Sequence, residues 1–376
     1  MTTYGDFFSG FGGMTIGARA AGFDVLFGVE YDKDLAAVYR ANLGDHVIVA
    51  DVTTLNMADL PRVDVFHASP PCTNASVANA NGGESPQDLA MAKAVCRYIM
   101  AKQPDIVTLE NVYQYRNFES WHEIARTLLS EGYTYNYWHV NMANYGVPQT
   151  RRRMIAVARR DEKTPQLPEK THAENPTPGL FSTKARWVSW YEAIEDLIPT
   201  LPDSEFAKWQ LERLPDEFRN LYLSKDKGDY SAGHAHENEP AVTVTANDYG
   251  RRRAFIVNGE NAGQVWGNKF RTDDPAYVVT GNSPRAFIVD GDASGNRPPT
   301  VSDINSPCTT VKTNGGGRVF RAATNGRVVK MTPRALARFQ SFPDWYELPG
   351  SNRLAVKGIG NAVPPLFAEK LYKGME

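Results

Sequence analysis

Residues 3–22 read TYGDFFSGFGGMTIGARAAG, an apolar run, a glycine-rich turn and a helical pattern in succession. That order is typical of a β-strand that passes through a tight turn into an α-helix. Glycines in such a turn let the backbone approach a ligand closely. The alternation continues through about residue 160, with apolar runs DVLFGVE, HVIVADV, VDVFHA, DIVTLENV and RMIAVA separated by helical patterns. Strands alternating with helices predict an α/β fold with a parallel, doubly wound sheet.

Length and composition favour a folded protein with more than one domain. The chain has 376 residues, of which 42% are hydrophobic, enough for a large α/β domain and a smaller second one. Its three cysteines, Cys72, Cys96 and Cys308, are odd in number and widely spaced, which argues against a disulfide framework and against metal binding. No apolar run approaches the length of a membrane span, and the chain starts with a strand-like segment rather than a targeting segment. We therefore expect a cytoplasmic protein without a membrane segment or a metal.

The charge is unevenly distributed along the chain. The net charge is only -2, but 14 basic and six acidic residues lie between Arg251 and Arg338. This local excess of eight positive charges favours a phosphate-binding face, although a solvated basic surface is the alternative.

The same basic segment contains a weak repeat. Its copies are PAVTVTAN from Pro240, PAYVVTGN from Pro275 and PCTTVKTN from Pro307, followed by RAFI at Arg253, RAFI at Arg285 and RVFR at Arg318. We interpret them as three related β-hairpins. An ordinary all-β subdomain, in which the repetition matters only for packing, is an equal alternative.

Three further segments show how the chain connects its domains. Residues 161–179 are rich in proline and polar groups, which predicts a loop. Near the C-terminus, TPRALARFQSFPDWY predicts a helix with Thr332 as the N-cap and Pro333 in the first turn. The final VKGIGNAVPPLFAEKLYKG predicts a Gly-Asn loop and a short helix that return to the first domain.

Polar residues follow the first predicted strands at the point where each strand ends. The turn after the first strand reads F-x-G-x-G from Phe8, not the GxGxxG of nicotinamide-binding proteins, and Phe8 offers an aromatic face for an adenine. Glu30 and Asp51 end the next two strands, where carboxylates could accept hydrogen bonds from ribose hydroxyls and the adenine amino group. A capping aspartate and a solvated glutamate are the alternative for either residue taken singly.

Cys72 follows VDVFHA and two prolines in SPPC, so its thiol is expected at a stiff strand exit where ligands of α/β sheets bind. An isolated cysteine is more often a small buried residue. Glu110 and Asn111 follow the strand DIVTL, which suggests an acid beside a nucleophile. In QTRRR, strand alternation would send Arg151 and Arg153 to one side.

DFFSGFGG, SPPC, LENV, QTRRR, RFQSFP and GNAVPP occur in an order and spacing that resemble the motif blocks of DNA cytosine-5 methyltransferases. The resemblance implies a doubly wound, Rossmann-like methyltransferase sheet in residues 1–200 and 326–376. It implies a smaller β-rich target-recognition domain in residues 201–325. It also implies use of S-adenosylmethionine, release of S-adenosylhomocysteine, double-stranded DNA as the partner, and a monomer.

The resemblance also implies roles for individual residues. Cys72 would add to C6 of a flipped-out cytosine, and Glu110 would bind the N3 and amino edge of the base. The remaining implied catalytic residues are Pro71, Asn111, Arg151 and Arg153. The implied cofactor residues are Phe8, Ser9, Gly10, Phe11, Gly12, Gly13, Glu30, Tyr31, Asp51, Val52, Asn361, Ala362 and Val363. The implied DNA-binding residues are Gln149, Arg251, Arg252, Arg253, Arg285, Lys312 and Arg318.

Thr73 departs from the glutamine that usually follows the cysteine in this family. We expect this departure to affect how the loop after Cys72 closes. It should also affect what fills the space that the flipped-out cytosine leaves in the duplex. Two other functions remain open: a tRNA cytosine-5 methyltransferase and a non-catalytic DNA-binding relative. The long basic insert favours DNA over RNA, and the presence of Cys72, Glu110 and both arginines favours catalysis.

Overall fold

The structure is a computed structural model that describes residues 1–71, 84–161, 163–176, 184–204, 286–290, 300–303, 306–309, 321–324 and 327–375. Cys72 and Thr73 lie outside the described residues. So do the following predicted DNA-binding residues: Arg251, Arg252, Arg253, Arg285, Lys312 and Arg318. The repeats that start at Pro240 and Pro275 lie outside them as well.

The described residues divide into two compact units, each with its own sheet. The first lies within Met1–Ala193, Pro307–Gly315 and Pro333–Glu376, and the second within Ile194–Ser306 and Gly316–Thr332. The outer bounds of the second unit, Ile194 and Thr332, each lie seven residues outside positions 201 and 325, between which the sequence predicts a recognition domain, and that role stays a prediction. A short segment after Pro307 groups with the first unit, which the sequence did not predict.

A seven-stranded sheet forms the centre of the described part of the first unit. Its strands are β1 Thr3–Phe7, β2 Asp24–Glu30, β3 Val47–Val49, β4 Val65–Ala68, β5 Ile106–Asn111, β6 Thr134–Asn141 and β8 Arg152–Arg159, in the order β3-β2-β1-β4-β5-β8-β6. The first five strands pair in parallel, as predicted for a doubly wound sheet. One strand departs from this parallel arrangement, because β8 runs antiparallel to both β5 and β6. Residue periodicity carries no information about strand direction, and β6 itself was not among the predicted strands.

The described residues also form eight α-helices, some of which cover the two faces of this sheet. They are α1 Gly13–Ala20, α2 Lys33–Leu43, α3 Pro86–Lys102, α4 Glu119–Ser130, α5 Trp190–Ile194, α6 Pro333–Phe339, α7 Asn352–Asn361 and α8 Pro365–Lys373. Apolar residues of α3 and α4 form a core on one face, and those of α1 and α8 form a second core on the other. Pro333 begins α6, as predicted. The predicted Gly-Asn loop is instead the end of α7, which extends through Asn361.

Short strands complete the described residues. The pairs β7 Gln149–Thr150 with β13 Cys308–Thr309, and β9 His172–Ala173 with β10 Ala185–Arg186, belong to the first unit. The second unit contains a sheet of β11 Ala286–Asp290, β12 Thr300–Asp303, β14 Arg321–Thr324 and β15 Arg327–Lys330. Most of the third predicted hairpin, residues 310–320, lies outside the described residues, and its first residues, Cys308–Thr309, pair in parallel with Gln149–Thr150. Within the part of the chain that the structure describes, no helix is long and apolar enough to cross a membrane.

A buried carboxyl group lies under the first strand–helix turn. Asp6 is almost fully buried and accepts hydrogen bonds from the hydroxyls of Ser9, Thr15 and Tyr4. Burial raises the pKa of Asp6 to about 6, and the three hydrogen bonds oppose that rise. The folded protein therefore binds a proton at Asp6 more tightly than the unfolded chain does.

This shift predicts a pH dependence of stability. Since the folded pKa lies above 3.8, the contribution of Asp6 is most favourable below pH 3.8 and is lost as pH rises through about 6. The stability of Asp6→Asn relative to wild type should therefore rise by about 3 kcal/mol between pH 3.5 and pH 7. Urea unfolding of both proteins across this range measures the difference. Asp24→Asn, at an exposed position of β2, is the control, and a constant difference for Asp6→Asn would contradict the prediction.

Candidate active site at the carboxyl edge of the sheet

The register of the parallel strands brings the predicted site residues to one edge. Phe7 pairs with both Val29 and Ala68, and Ala68 pairs with Leu109. The residues that follow these positions include Phe8, Glu30 and Glu110, so all three lie at the carboxyl ends of neighbouring strands. Ligands of open α/β sheets bind at this edge.

The turn after β1 has an unusual backbone. Phe8, Gly10 and Gly12 have φ values of 65°, 53° and 75°, in the left-handed region that residues with a side chain rarely adopt. Such strain at Phe8 is most often found at functional sites. A Cβ placed on Gly10 would meet no atom within 4 Å, so the space beside the turn is open. The turn thus exposes its backbone next to room for a ligand.

Glu30 connects this turn to the second helix. Its carboxylate accepts one hydrogen bond from Gly10 N and another from Asp32 N, both at 2.8 Å. Burial raises the pKa of Glu30, and the two backbone hydrogen bonds oppose the rise. A carboxylate has about four acceptor positions, so Glu30 keeps capacity for a ligand hydroxyl.

The other predicted cofactor residues differ in their exposure. Tyr31 is exposed, and Asp51, just after β3, accepts hydrogen bonds from Thr53 N and Oγ1. Ser9 uses its hydroxyl internally, on Asp6 and on Val29 O. Phe11 and Val52 are buried in apolar surroundings, so their side chains act in packing.

The C-terminal block lies directly against the turn. A Cβ on Gly13 would come within 2.0 Å of Val363 O, so only glycine permits this approach. Ala362 and Val363 are buried, whereas Asn361 is exposed. Gln340 donates from Nε2 to Ala362 O and thereby fixes the chain at this point.

The acid and the two arginines predicted from LENV and QTRRR do meet. Arg153 Nε lies 3.0 Å and Arg151 Nη2 3.9 Å from Glu110 Oε1. Glu110 Oε1 is buried and has Arg153 at hydrogen-bond distance but outside good hydrogen-bond geometry, and a carboxylate oxygen with a single such neighbour retains acceptor capacity. Burial, and then the neighbouring Arg153, lowers the pKa of Arg151 to about 9, and burial lowers that of Arg153. Arg151 therefore remains a cation at neutral pH.

Asn111 contacts the backbone that leads to the predicted nucleophile Cys72. Its Nδ2 donates to Pro70 O at 2.9 Å, and its Oδ1 accepts from Val112 N. Pro71 follows at an exposed position, one residue before Cys72. The backbone that leads to Cys72 is thus attached to the residue next to Glu110.

Gln149 is fully buried, and both polar atoms of its amide lack hydrogen-bond partners in the described part of the chain. It has no surface exposed to solvent.

Asp6 and Gln340 were not among the predicted site residues. Both residues lie within the quoted segments DFFSGFGG and RFQSFP, but nothing in those segments distinguishes them from structural polar residues. No group of three metal-binding side chains occurs among the residues that the structure describes.

The fold is that of an α/β enzyme. At the carboxyl edge of its sheet lie a turn with open space for a ligand and a buried acid with two arginines. The sequence profile of the C-5 cytosine-specific DNA methylases matches residues 2–376. The chain therefore belongs to this family and is a DNA cytosine-5 methyltransferase.

Individual relatives match over nearly the whole chain. The Type II methyltransferase M1.HphI of Haemophilus parahaemolyticus is 26% identical over 99% of this chain and 86% of its own length. M.HpaII of Haemophilus parainfluenzae is 28% identical over 96% of this chain and 85% of its own. A solved structure of a DNA modification methyltransferase encoded within a prophage (E. coli) has a TM-score of 0.55 at 20% identity. The match covers 100% of this chain and 98% of that one. This last likeness supports the predicted fold.

The contacts of Arg151 predict a structural role that its neighbour lacks. Arg151 is 2% exposed and donates from Nη1 to Gly360 O at 3.0 Å, whereas Arg152 is exposed. Arg151→Met should lower the free energy of unfolding by about 3 kcal/mol, because it removes one partner of a buried ion cluster. Arg152→Gln should change it by less than about 0.5 kcal/mol. Urea denaturation of both variants measures this, and equal losses would contradict the assignment.

Proposed function

We propose that this chain methylates C5 of a cytosine flipped out of a specific short sequence in double-stranded DNA, using S-adenosylmethionine and a covalent Cys72–C6 bond. One observation carries the proposal. Asn111 binds the carbonyl of Pro70, two residues before Cys72, and Glu110 beside it keeps a buried oxygen available. An acid and the approach to a thiol therefore meet at the sheet edge where ligands bind.

The cofactor suits the turn between β1 and α1. The open space beside Gly10, the ring of Phe8 and the carboxylates of Glu30 and Asp51 fit a nucleoside, and Val363 closes the turn from the other side. When bound, S-adenosylmethionine supplies an electrophilic methyl group on its sulfonium, which C5 of the base accepts.

In the proposed reaction, Glu110 and Cys72 at the carboxyl edge of the sheet have different roles. Glu110 binds the N3 and amino edge of the base and stabilises its protonated form, which makes C6 more electrophilic. The Cys72 thiolate forms a bond to C6, and the electron pair moves to C5. After C5 is methylated, loss of its proton restores the ring and expels the thiolate.

The arginines keep the acid in place. Arg153 lies within ion-pair distance of Glu110, and Arg151 approaches the same carboxylate oxygen while it donates a hydrogen bond to Gly360 O. Extraction of a base from the duplex costs a few kcal/mol, which contacts inside the pocket must offset. Sequence discrimination is proposed to lie in residues 201–325, whose arginines and asparagines could pair with guanine and adenine.

The covalent step predicts a cysteine-dependent adduct. Cys72→Ser and Cys72→Ala should abolish methyl transfer and retain fold and cofactor affinity, because a serine hydroxyl is a poor nucleophile at neutral pH. Duplex DNA containing 5-fluorocytosine should trap the wild-type protein in a denaturation-stable complex. Cys96→Ala, a buried cysteine on α3, is the matched control and should trap normally. A stable adduct formed by Cys72→Ala would refute the nucleophile.

The cofactor assignment predicts weaker binding for two variants. Phe8→Ala and Glu30→Ala should each raise the Kd for S-adenosylmethionine about ten- to a hundredfold, equivalent to about 1.5–3 kcal/mol. Titration calorimetry measures this, with the exposed Glu195→Ala as the control. Unchanged affinity in both variants would mean that the cofactor binds elsewhere.

A further inference from the structure

A stacked cluster lies beside the candidate site and takes no part in the chemistry described above. The rings of Tyr113 and His139 stack with centroids 3.9 Å apart and an interplanar angle of 18°. On Tyr113, Arg116 places its guanidinium carbon 4.2 Å from the ring centroid and donates from Nη1 to the hydroxyl at 2.6 Å. Together with Arg152, these residues are called the basic edge patch.

Strand register explains why the patch adjoins the site. In the β6–β8 pair His139 faces Met154 and Asn141 faces Arg152. Side chains alternate along a strand, so Arg152 emerges on the opposite face of the sheet from Arg151 and Arg153, the partners of Glu110. Tyr113 follows Asn111 by two residues. The basic edge patch and the Glu110 cluster therefore occupy two faces of the same sheet edge.

The positive charges of the patch are not neutralised. Arg116 and Arg152 have no carboxylate within ion-pair distance in the described part of the chain, whereas Arg62, Arg126 and Arg159 are all paired. His139 and Arg152 are exposed. Partial burial lowers the pKa of His139, and so do the guanidiniums of Arg152 and Arg116. Arg152 is thus an exposed cation beside the half-buried Arg116, and unpaired cations at a surface attract a polyanion.

We propose that the basic edge patch binds the sugar–phosphate backbone of the DNA duplex next to the flipped-out cytosine. This inference rests on the proposed function. Arg116 and Arg152 offer charged donors to phosphate oxygens, and stacking on Tyr113 restricts the motion of Arg116. Phosphate contacts fix position without reading bases. The patch therefore holds the duplex for every target sequence, separately from the predicted recognition region.

The test compares Arg152→Gln and the Arg116→Gln/Arg152→Gln double variant with wild type in the full chain. Lys93→Gln, an exposed lysine on α3, is the control. Equilibrium binding to duplexes with and without the target is measured at several salt concentrations. Each lost phosphate contact should reduce the slope of log K against log salt by about 0.9, so the double variant should lose about 1.8.

Steady-state kinetics supply a second readout. The KM for DNA should rise several-fold at 0.15 M salt, with kcat at saturating DNA, the methylated sequence and cofactor affinity unchanged. One outcome is that the double variant shows the same salt slope and KM as Lys93→Gln while the wild type methylates DNA. That result overturns the proposal that the basic edge patch binds DNA and leaves the proposed function standing. Lower thermal stability with an unchanged slope, as expected if the patch is structural, also overturns the proposal, and so does an unchanged slope with unchanged stability, as expected if the patch binds an acidic protein. A wild-type protein that binds duplex but transfers no methyl group to it would instead overturn the proposed function, while the slope still decides the patch.

Discussion

A buried guanidinium connects the two halves of the candidate site. Arg151 lies between the Glu110 carboxylate and the carbonyl of Gly360, and removing a cation of this kind from water costs several kcal/mol unless it is well paired. Its position therefore requires both the strand that carries Glu110 and the end of α7. Because Gly360 directly precedes the Asn361–Val363 block at the glycine turn, the acid and the predicted cofactor turn are held in one arrangement. Gln340 adds a second restraint through Ala362 O.

Much of this arrangement could be predicted from the sequence. The parallel strands were visible as short apolar runs, and a polar residue at the end of such a run lies at the carboxyl edge whatever the details of packing. Alternation along QTRRR correctly predicted that Arg151 and Arg153 would share a side, which the structure confirms at Glu110. The individual roles assigned by resemblance stay predictions.

Other features depend on contacts between distant parts of the chain. The segment TYNYWHVN of β6 has polar and exposed positions at the edge of the sheet, so it lacks the apolar signature of a buried strand. GIGN contains glycine, which disfavours a helix, yet it completes α7, where Gly358 packs closely against the ring of Phe11. Local propensity could not anticipate that contact. Asp6 was missed because a carboxyl group inside an apolar run gives no sign of the three hydroxyls that surround it.

The pairing of β7 with β13 has a consequence for how members of such a family could exchange specificity. Cys308–Thr309 runs alongside Gln149–Thr150, immediately before Arg151, although it lies within the stretch of sequence predicted to read DNA. A recombination event that replaced residues 201–325 as one block would also replace a strand of the catalytic unit. Viable crossovers must therefore either retain this strand or bring one with compatible backbone pairing. Fewer junctions therefore preserve the architecture than the length of residues 201–325 alone would allow.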